Sequence, residues 1–152
     1  DLKILIEEIC RHAQIIASEK NIKIITAYIE RIQVYGDPVR LRQMIWNVIV
    51  NGIKYTQPDG EVTISLQEKK DIALITIQDN GIGISNSDLP LIFNRFYRVD
   101  KARSREEGGT GLGLSICKFI VDAHKGSIGI ESTLGEGTKF KIKLPKQNLS
   151  TA

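Results

Sequence analysis

Asp79-Asn80-Gly81-Ile82-Gly83 closes a run, Ile72 to Gln78, that reads as a strand. Ala73, Ile75 and Ile77 alternate there with Ile72, Leu74 and Thr76, and a two-residue period carries Asp79 to the side of Ala73, Ile75 and Ile77. A carboxylate is thus expected to enter an apolar pocket, where an unpaired polar group costs roughly 1 to 3 kcal/mol and demands a donor. The two glycines beyond it allow a sharp turn or close approach to a ligand. A flat heterocycle with an exocyclic amine suits such an acceptor; adenine offers that amine where guanine offers a carbonyl oxygen. Asp-Asn-Gly is equally ordinary turn chemistry, so the surrounding chain has to decide.

Immediately upstream, Val62, Ile64 and Leu66 alternate in a strand expected to pair with Ile72 to Gln78 as an antiparallel hairpin through Lys69-Lys70-Asp71, after a turn at Gln57-Pro58-Asp59-Gly60. Before that turn, Asp37-Pro38 opens a helix, Asp as N-cap and Pro in the first turn, where a missing amide hydrogen costs nothing. Leu41, Met44, Ile45, Val48, Gly52 and Ile53 form its apolar stripe. Asn47, Asn51 and Lys54 stand at i, i+4 and i+7 on an adjoining face. A solvated polar face would usually be built from Glu, Lys, Arg and Gln, because Asn is a poor helix former. Two mid-helix carboxamides imply a use for their oxygens, and magnesium, a hard cation that keeps most of its waters while holding phosphates, is one such use.

Downstream of Gly83, Asp88 to Phe93 makes a short helical turn, and then the pattern dissolves. From Asn94 to Gly109 the chain is polar and charged, with Phe93, Phe96 and Tyr97 as its large apolar anchors; a segment of this kind inside a domain is more often a lid or binding loop than idle coil. It runs into Gly109-Thr110-Gly111-Leu112-Gly113-Leu114, which leads a helix carrying Leu114, Ile116, Cys117, Ile120, Val121 and Ala123. Glycines feeding a helix N-terminus suit phosphate, since free amides and the positive dipole end point at the anion. The stretch lacks the Lys and Ser/Thr of a P-loop and the preceding strand of a dinucleotide fold. His124 and Lys125 fall in the last turn, favourable against the dipole, and Gly126 is the expected left-handed residue after it. Ile128 and Ile130, then Phe140, Ile142 and Leu144, form a closing hairpin across Leu134-Gly135-Glu136-Gly137.

At the other end, Leu2, Leu5, Ile6, Ile9, Ala13, Ile16 and Ala17 recur at helical spacing up to about Lys20, where Asn21 stops the helix. His12 reads as a lone surface histidine. Ile22 to Glu30 is expected as a strand, with a short extended piece at Val34 to Tyr35. The 152 residues fit one domain. Twenty-one Lys and Arg against 18 Asp and Glu leave a net charge of +3, too mild to argue for nucleic acid. Cys10 and Cys117 lie in apolar helical patterns and read as small core residues in a reduced setting. No apolar run approaches the roughly 20 residues that span a bilayer. The chain opens on Asp1 rather than Met, as expected of a fragment.

Taken in order, these parts resemble a known family. Arg42-Gln43-Met44-Ile45-Trp46-Asn47-Val48-Ile49-Val50-Asn51-Gly52-Ile53-Lys54-Tyr55 resembles the N box of sensor histidine kinases, and Asp79-Asn80-Gly81-Ile82-Gly83 their first glycine box. Ile92-Phe93-Asn94-Arg95-Phe96-Tyr97-Arg98 resembles their F box, Gly109 to Leu114 their second glycine box, and Gly135-Glu136-Gly137-Thr138 their final glycine-threonine element. The resemblance implies a two-layer α/β sandwich of the GHKL ATP-binding type, a mixed, mainly antiparallel sheet with three helices on one face. It implies one catalytic and ATP-binding domain over residues 1–152, with a lid at about 94–109 and a frayed tail from about 146.

Carried over residue by residue, the resemblance makes Asp79 the acceptor for the adenine amine, with Gly81 and Gly83 making room. Asn51 would hold Mg2+, supported by Asn47. Lys54 would neutralise phosphate charge and Tyr55 flank the nucleotide. Arg98 would reach the γ-phosphate, more so than Arg95. Amides of Thr110, Gly111, Leu112, Gly113 and Leu114 would meet the phosphates, and Thr138 would line the base side. The implied reaction is in-line transfer of the γ-phosphoryl group of ATP to a histidine. Asn47 stands where related ATPases, DNA gyrase among them, carry a Glu that activates water; an amide takes no proton at neutral pH, so transfer is favoured over hydrolysis. The family's acceptor histidine is followed by an acidic residue, whereas Ala13 follows His12 and Lys125 follows His124. The chain is therefore expected to bind Mg-ATP as a monomer without phosphorylating itself. Its partners would be the dimerisation and histidine phosphotransfer domain of the same protein and a downstream response regulator. The location is expected to be cytoplasmic, with membrane anchoring of the parent suggested by analogy. A hydrolytic or serine-directed GHKL-type enzyme, such as an ATPase, a nucleotide-binding scaffold and a non-nucleotide interaction domain are the competing readings.

Overall fold

Period-two alternation in three segments and helical stripes in three others build one layered structure, which a computed structural model describes over residues 1–94 and 113–146. In order the elements are α1 (Leu2–Glu19), β1 (Lys23–Ile29), α2 (Pro38–Tyr55), β2 (Glu61–Lys69), β3 (Ile72–Asp79), a 3-10 turn (Leu89–Leu91), α3 (Gly113–Ala123), β4 (Ser127–Thr133) and β5 (Gly137–Pro145). The sheet order is β1-β2-β3-β5-β4. β1 runs parallel to β2, as a crossover through a helix requires, and every other pairing is antiparallel. The three helices cover one face, which is the mixed, mainly antiparallel α/β sandwich expected.

Alternation decides which sheet face is covered. Ile64, Ile77 and Phe140 lie in one cross-strand row and Leu66, Ile75 and Ile142 in the next, all buried beneath the helices. α2 sits centrally, packed on α1 and α3, with Leu41, Met44, Ile45, Val48, Ile49, Gly52 and Ile53 turned inward. Its N-cap is as expected: the Asp37 carboxylate accepts from the amides of Val39 and Arg40. Asn21 ends α1 in the left-handed conformation, φ 57°, and the Ile22 amide reaches back to the Ala17 carbonyl.

Several details depart from expectation. Ile16 is 40% exposed, and Ala123 is also outside the core. β1 is shorter than expected by one residue at each end, although the Glu30 amide still bonds the Leu66 carbonyl. Val34 to Tyr35 forms no strand. The left-handed residue after α3 is Lys125, φ 59°, and not Gly126. Gly126 is instead pressed against the sheet, where a Cβ would collide with the Lys143 carbonyl oxygen. His124 links two helices through its ring. Its Nδ1 donates to the Ile120 carbonyl and its Nε2 accepts from the Asp37 amide, tying α3 to the start of α2.

Candidate functional site

Asp79 is the last residue of β3 and is 7% exposed. Its Oδ1 accepts from the amides of Gly81, 2.9 Å, and Thr138, 3.2 Å. Burial pushes the carboxyl above its ordinary value, and the two amides pull the other way. Oδ2 accepts no hydrogen bond among the described residues. No fully buried side-chain polar atom among them lacks a partner, so Oδ2 keeps a small exposed face. Above it runs α2: a Cβ on Gly52 would stand 3.6 Å from Oδ2, an approach a larger residue would close off.

The glycines that follow are there for contact. A Cβ on Gly81 would strike the Tyr55 carbonyl oxygen, and one on Gly83, whose φ is +75°, would strike that of Thr133. Between them, the Ile82 amide donates to Tyr55 O, 3.0 Å, while Ile82 O accepts from the Gly135 amide, 2.7 Å. The glycine segment is thus stitched to the end of α2 on one side and to the β4–β5 turn on the other.

That stitch completes the carbonyl ledger at the C-terminus of α2, where four acceptors lack helical donors. Gly52 O accepts from the Thr56 hydroxyl at 2.6 Å. Ile53 O accepts from the Thr56 amide and from Lys20 Nζ, and Lys54 O from Lys20 Nζ at 2.8 Å. Tyr55 O takes Ile82. Lys20 therefore caps a helix more than thirty residues away, with its positive charge at the negative end of the dipole.

Asn47, Asn51 and Lys54 lie half-buried along one side of α2, and Lys54 Nζ stands 5.4 Å from the centre of the Tyr55 ring. The Cys117 thiol beneath this helix donates to Met44 O. Among the described residues no three His, Cys, Asp or Glu side chains gather. The oxygen donors beside Lys54 are carboxamides, a neutral hard set compatible with a magnesium ion that keeps its waters and binds through phosphate. Gly113 and Leu114 form the first turn of α3, Gly113 exposed and Leu114 half-buried. Phe93, just after the 3-10 turn, packs edge-on against Phe140. Arg95, Phe96, Tyr97, Arg98, Thr110, Gly111 and Leu112, and most of the expected lid and tail, lie outside the described residues. A groove lined by Ile9, His12, Val39, Arg42, Gln43 and Trp46 lies between α1 and α2, and none of the candidate residues lines it.

Residues 36–148, which hold this carboxylate, the carboxamide-bearing helix and the glycines between them, match the model of the histidine kinase-, DNA gyrase B-, and HSP90-like ATPase family. The chain belongs to that family. Within it, the chain is similar to the sensor histidine kinase RppB of Synechocystis, 47% identical over 111 residues, covering 73% of this chain and 24% of that protein. The catalytic domain of histidine kinase ThkA superposes with a TM-score of 0.83 at 27% identity, covering 96% of this chain and 93% of that one. Full-length ShkA in complex with AMPPNP also superposes at 0.83, at 26% identity, covering 97% of this chain and 30% of ShkA. The chain is thus similar to the catalytic domains of sensor histidine kinases, and it spans a quarter or less of the length of these curated relatives.

In this ATP-binding domain the structure brings Asp79, Gly81, Gly83, Tyr55 and Thr138 into one cluster and sets Asn47, Asn51 and Lys54 along the helix above. Three contributors escaped the sequence reading: Lys20, Gly52 as the opening over Oδ2, and Ser132. Ser132 had a signal, for it follows Ile128 and Ile130 at period two and so puts a hydroxyl on an apolar face. No helix among the described residues is long and apolar enough to cross a membrane.

Proposed function

We propose that this domain binds Mg-ATP and transfers its γ-phosphoryl group to a histidine nitrogen on a separate dimerisation and phosphotransfer domain of the same protein, for onward passage to a response regulator. The observation that carries the reading is Asp79. One oxygen is consumed by two backbone amides, and the other is held bare beneath Gly52, one residue from Asn51. On this reading Oδ2 accepts from the adenine amine, Gly81 and Gly83 shape the base pocket with Thr138, and Tyr55 flanks the nucleotide. Asn51 and Asn47 would hold Mg2+, which when bound neutralises and orients the triphosphate. Lys54 and Arg98 would balance phosphate charge, with the amides of Thr110 to Leu114 cradling it at the start of α3.

In the transfer, the bond from the γ-phosphorus to the bridging oxygen breaks, that oxygen leaves on ADP, and a new bond forms to an imidazole nitrogen. Imidazole is already a nucleophile, so the domain needs to supply position and charge rather than a base. Asn47 fits that division of labour because a carboxamide cannot deprotonate water. We further propose that residues 1–152 act as one monomeric domain, working at the cytoplasmic face of a larger, membrane-anchored receptor.

Titration with a non-hydrolysable ATP analogue, with and without magnesium, tests the reading on the wild type and on Asn51→Ala. Wild type should bind more tightly with magnesium, and Asn51→Ala should lose most of that difference. Absence of binding by the wild type would refute it. Steady release of phosphate from ATP without any histidine acceptor would favour the hydrolytic alternative.

A further inference from the structure

Resting on the ATP reading, we propose that Ser132 is a specificity-determining residue: it consumes the proton of the Thr138 hydroxyl, so that Thr138, like Asp79 Oδ2, can only accept hydrogen bonds from a bound base. Neither residue type nor motif assigns this to Ser132.

Asp79, Thr138 and Ser132 occupy one row across three neighbouring strands, Asp79 opposite Thr138 and Thr138 opposite Ser132. A serine hydroxyl has one proton to give and two lone pairs to fill. The Gly137 carbonyl, 2.8 Å from Ser132 Oγ, can only accept, so it takes the serine proton. The Ile84 amide, 2.8 Å away, can only donate, so it fills one lone pair. One lone pair remains for Thr138 Oγ1 at 2.9 Å, and the bond can form only with threonine as donor. Thr138 has then spent its proton.

Hydroxyl groups in ligand pockets ordinarily rotate to suit either a donor or an acceptor. Here that freedom is removed. Asp79 Oδ1 is occupied by two amides, Oδ2 offers lone pairs, and Thr138 Oγ1 offers lone pairs, so the row presents acceptors alone. A 6-aminopurine, directly or through a bridging water, supplies the donors that this row requires. A 6-oxopurine keeps a donor at N1–H but turns an acceptor to the row at its 6-position, and there no rotation of Thr138 can relieve the mismatch. A site that leaves polar groups unpaired against the wrong ligand discriminates far more strongly than one relying on shape.

The test compares non-hydrolysable adenosine and inosine triphosphate analogues by calorimetry on the wild type, Ser132→Ala, Thr138→Val and the double variant. Wild type should prefer the adenosine analogue by at least about a hundredfold. Ser132→Ala frees the threonine proton, so the inosine analogue should gain and the preference should shrink by about tenfold. Thr138→Val, close in shape and independent of whether Ser132→Ala folds, should weaken the adenosine analogue while leaving the inosine analogue unchanged. In the Thr138→Val background, adding Ser132→Ala should leave the preference where it was.

The proposal is overturned if Ser132→Ala keeps the wild-type preference, if its effect persists without the Thr138 hydroxyl, or if Thr138→Val weakens both analogues alike. A wild type that binds neither analogue overturns the ATP reading itself, which is a different result from a wild type that binds both equally.

Discussion

Replacing Asp79 with Asn and with Ala should separate the folding role of this side chain from its ligand role. In Asp79→Ala the amides of Gly81 and Thr138 lose their acceptor inside the protein. Each stranded donor costs about 1 to 3 kcal/mol, so the variant should lose about 3 kcal/mol. At roughly 2 to 4 °C per kcal/mol for a domain of this size, the melting temperature should fall by about 6 to 12 °C. Asp79→Asn should behave otherwise. Its carbonyl oxygen can keep both amides, and the flipped rotamer would set an NH2 against two N–H donors, so the amide nitrogen must stand where Oδ2 now stands.

The pH dependence fixes the sign of the Asn effect. Burial is the dominant influence and raises the Asp79 carboxyl above its unfolded value. The folded state therefore holds that proton more tightly, and the stability this contributes is present at low pH and lost as pH rises through the folded titration. Asn carries no such loss, so at neutral pH Asp79→Asn should melt within about 2 °C of wild type or above it. Its advantage over wild type should shrink on acidification. Binding should go the other way: a charge-assisted acceptor becomes a donor facing the ligand amine, a change of about 3 kcal/mol or roughly a hundredfold in affinity, with or without magnesium. Thermal melts at pH 7.5 and pH 4.5, with calorimetric titration of the ATP analogue, read all three effects. The reasoning fails if Asp79→Asn melts as low as Asp79→Ala, or if it binds the analogue as wild type does.

Two further outcomes rest on separate parts of the fold. Lys20→Met removes a cationic cap from Ile53 O and Lys54 O, and should cost about 2 kcal/mol in urea unfolding, with most of it restored in Lys20→Arg; an unchanged midpoint in Lys20→Met would show that water replaces the cap. Burial pushes the thiols of Cys10 up to about 11 and Cys117 up to about 12, so at pH 8 a maleimide should label neither in the native protein and both in urea, whereas rapid native labelling would place one of them outside the core.

Much of the site was legible because its residues break local rules. Asn47 and Asn51 are poor helix formers in mid-helix, and Asp79 is a charge in phase with Ala73, Ile75 and Ile77. The stripe of α2 and the alternation of β2, β3 and β5 were equally plain, since each buries one side against the same core. The errors fell where two demands compete for one residue. Gly126 is required by the sheet wall beside it, which leaves Lys125 to take the left-handed turn, a conformation costing an exposed lysine only about 1 to 2 kcal/mol. Ile16 fits the helical stripe of α1 yet faces outward, because α1 is packed along one side only, on α2 and β1.

Periodicity, capping and the order of the motifs determined the elements, the family and which side chains enter the core, because each of these depends on neighbours within a few turns or one strand. Which donor meets which acceptor was decided only by the folded chain. Lys20 reaches α2 across 34 residues, His124 reaches Asp37 across 87, and the Thr138 amide reaches Asp79 across 59. Such bonds depend on strand register and helix placement, to within a fraction of an ångström, and spacing along a sequence carries no information on that scale. The polarity of the Thr138 hydroxyl is the sharpest case, since it is set by what three other groups have already claimed.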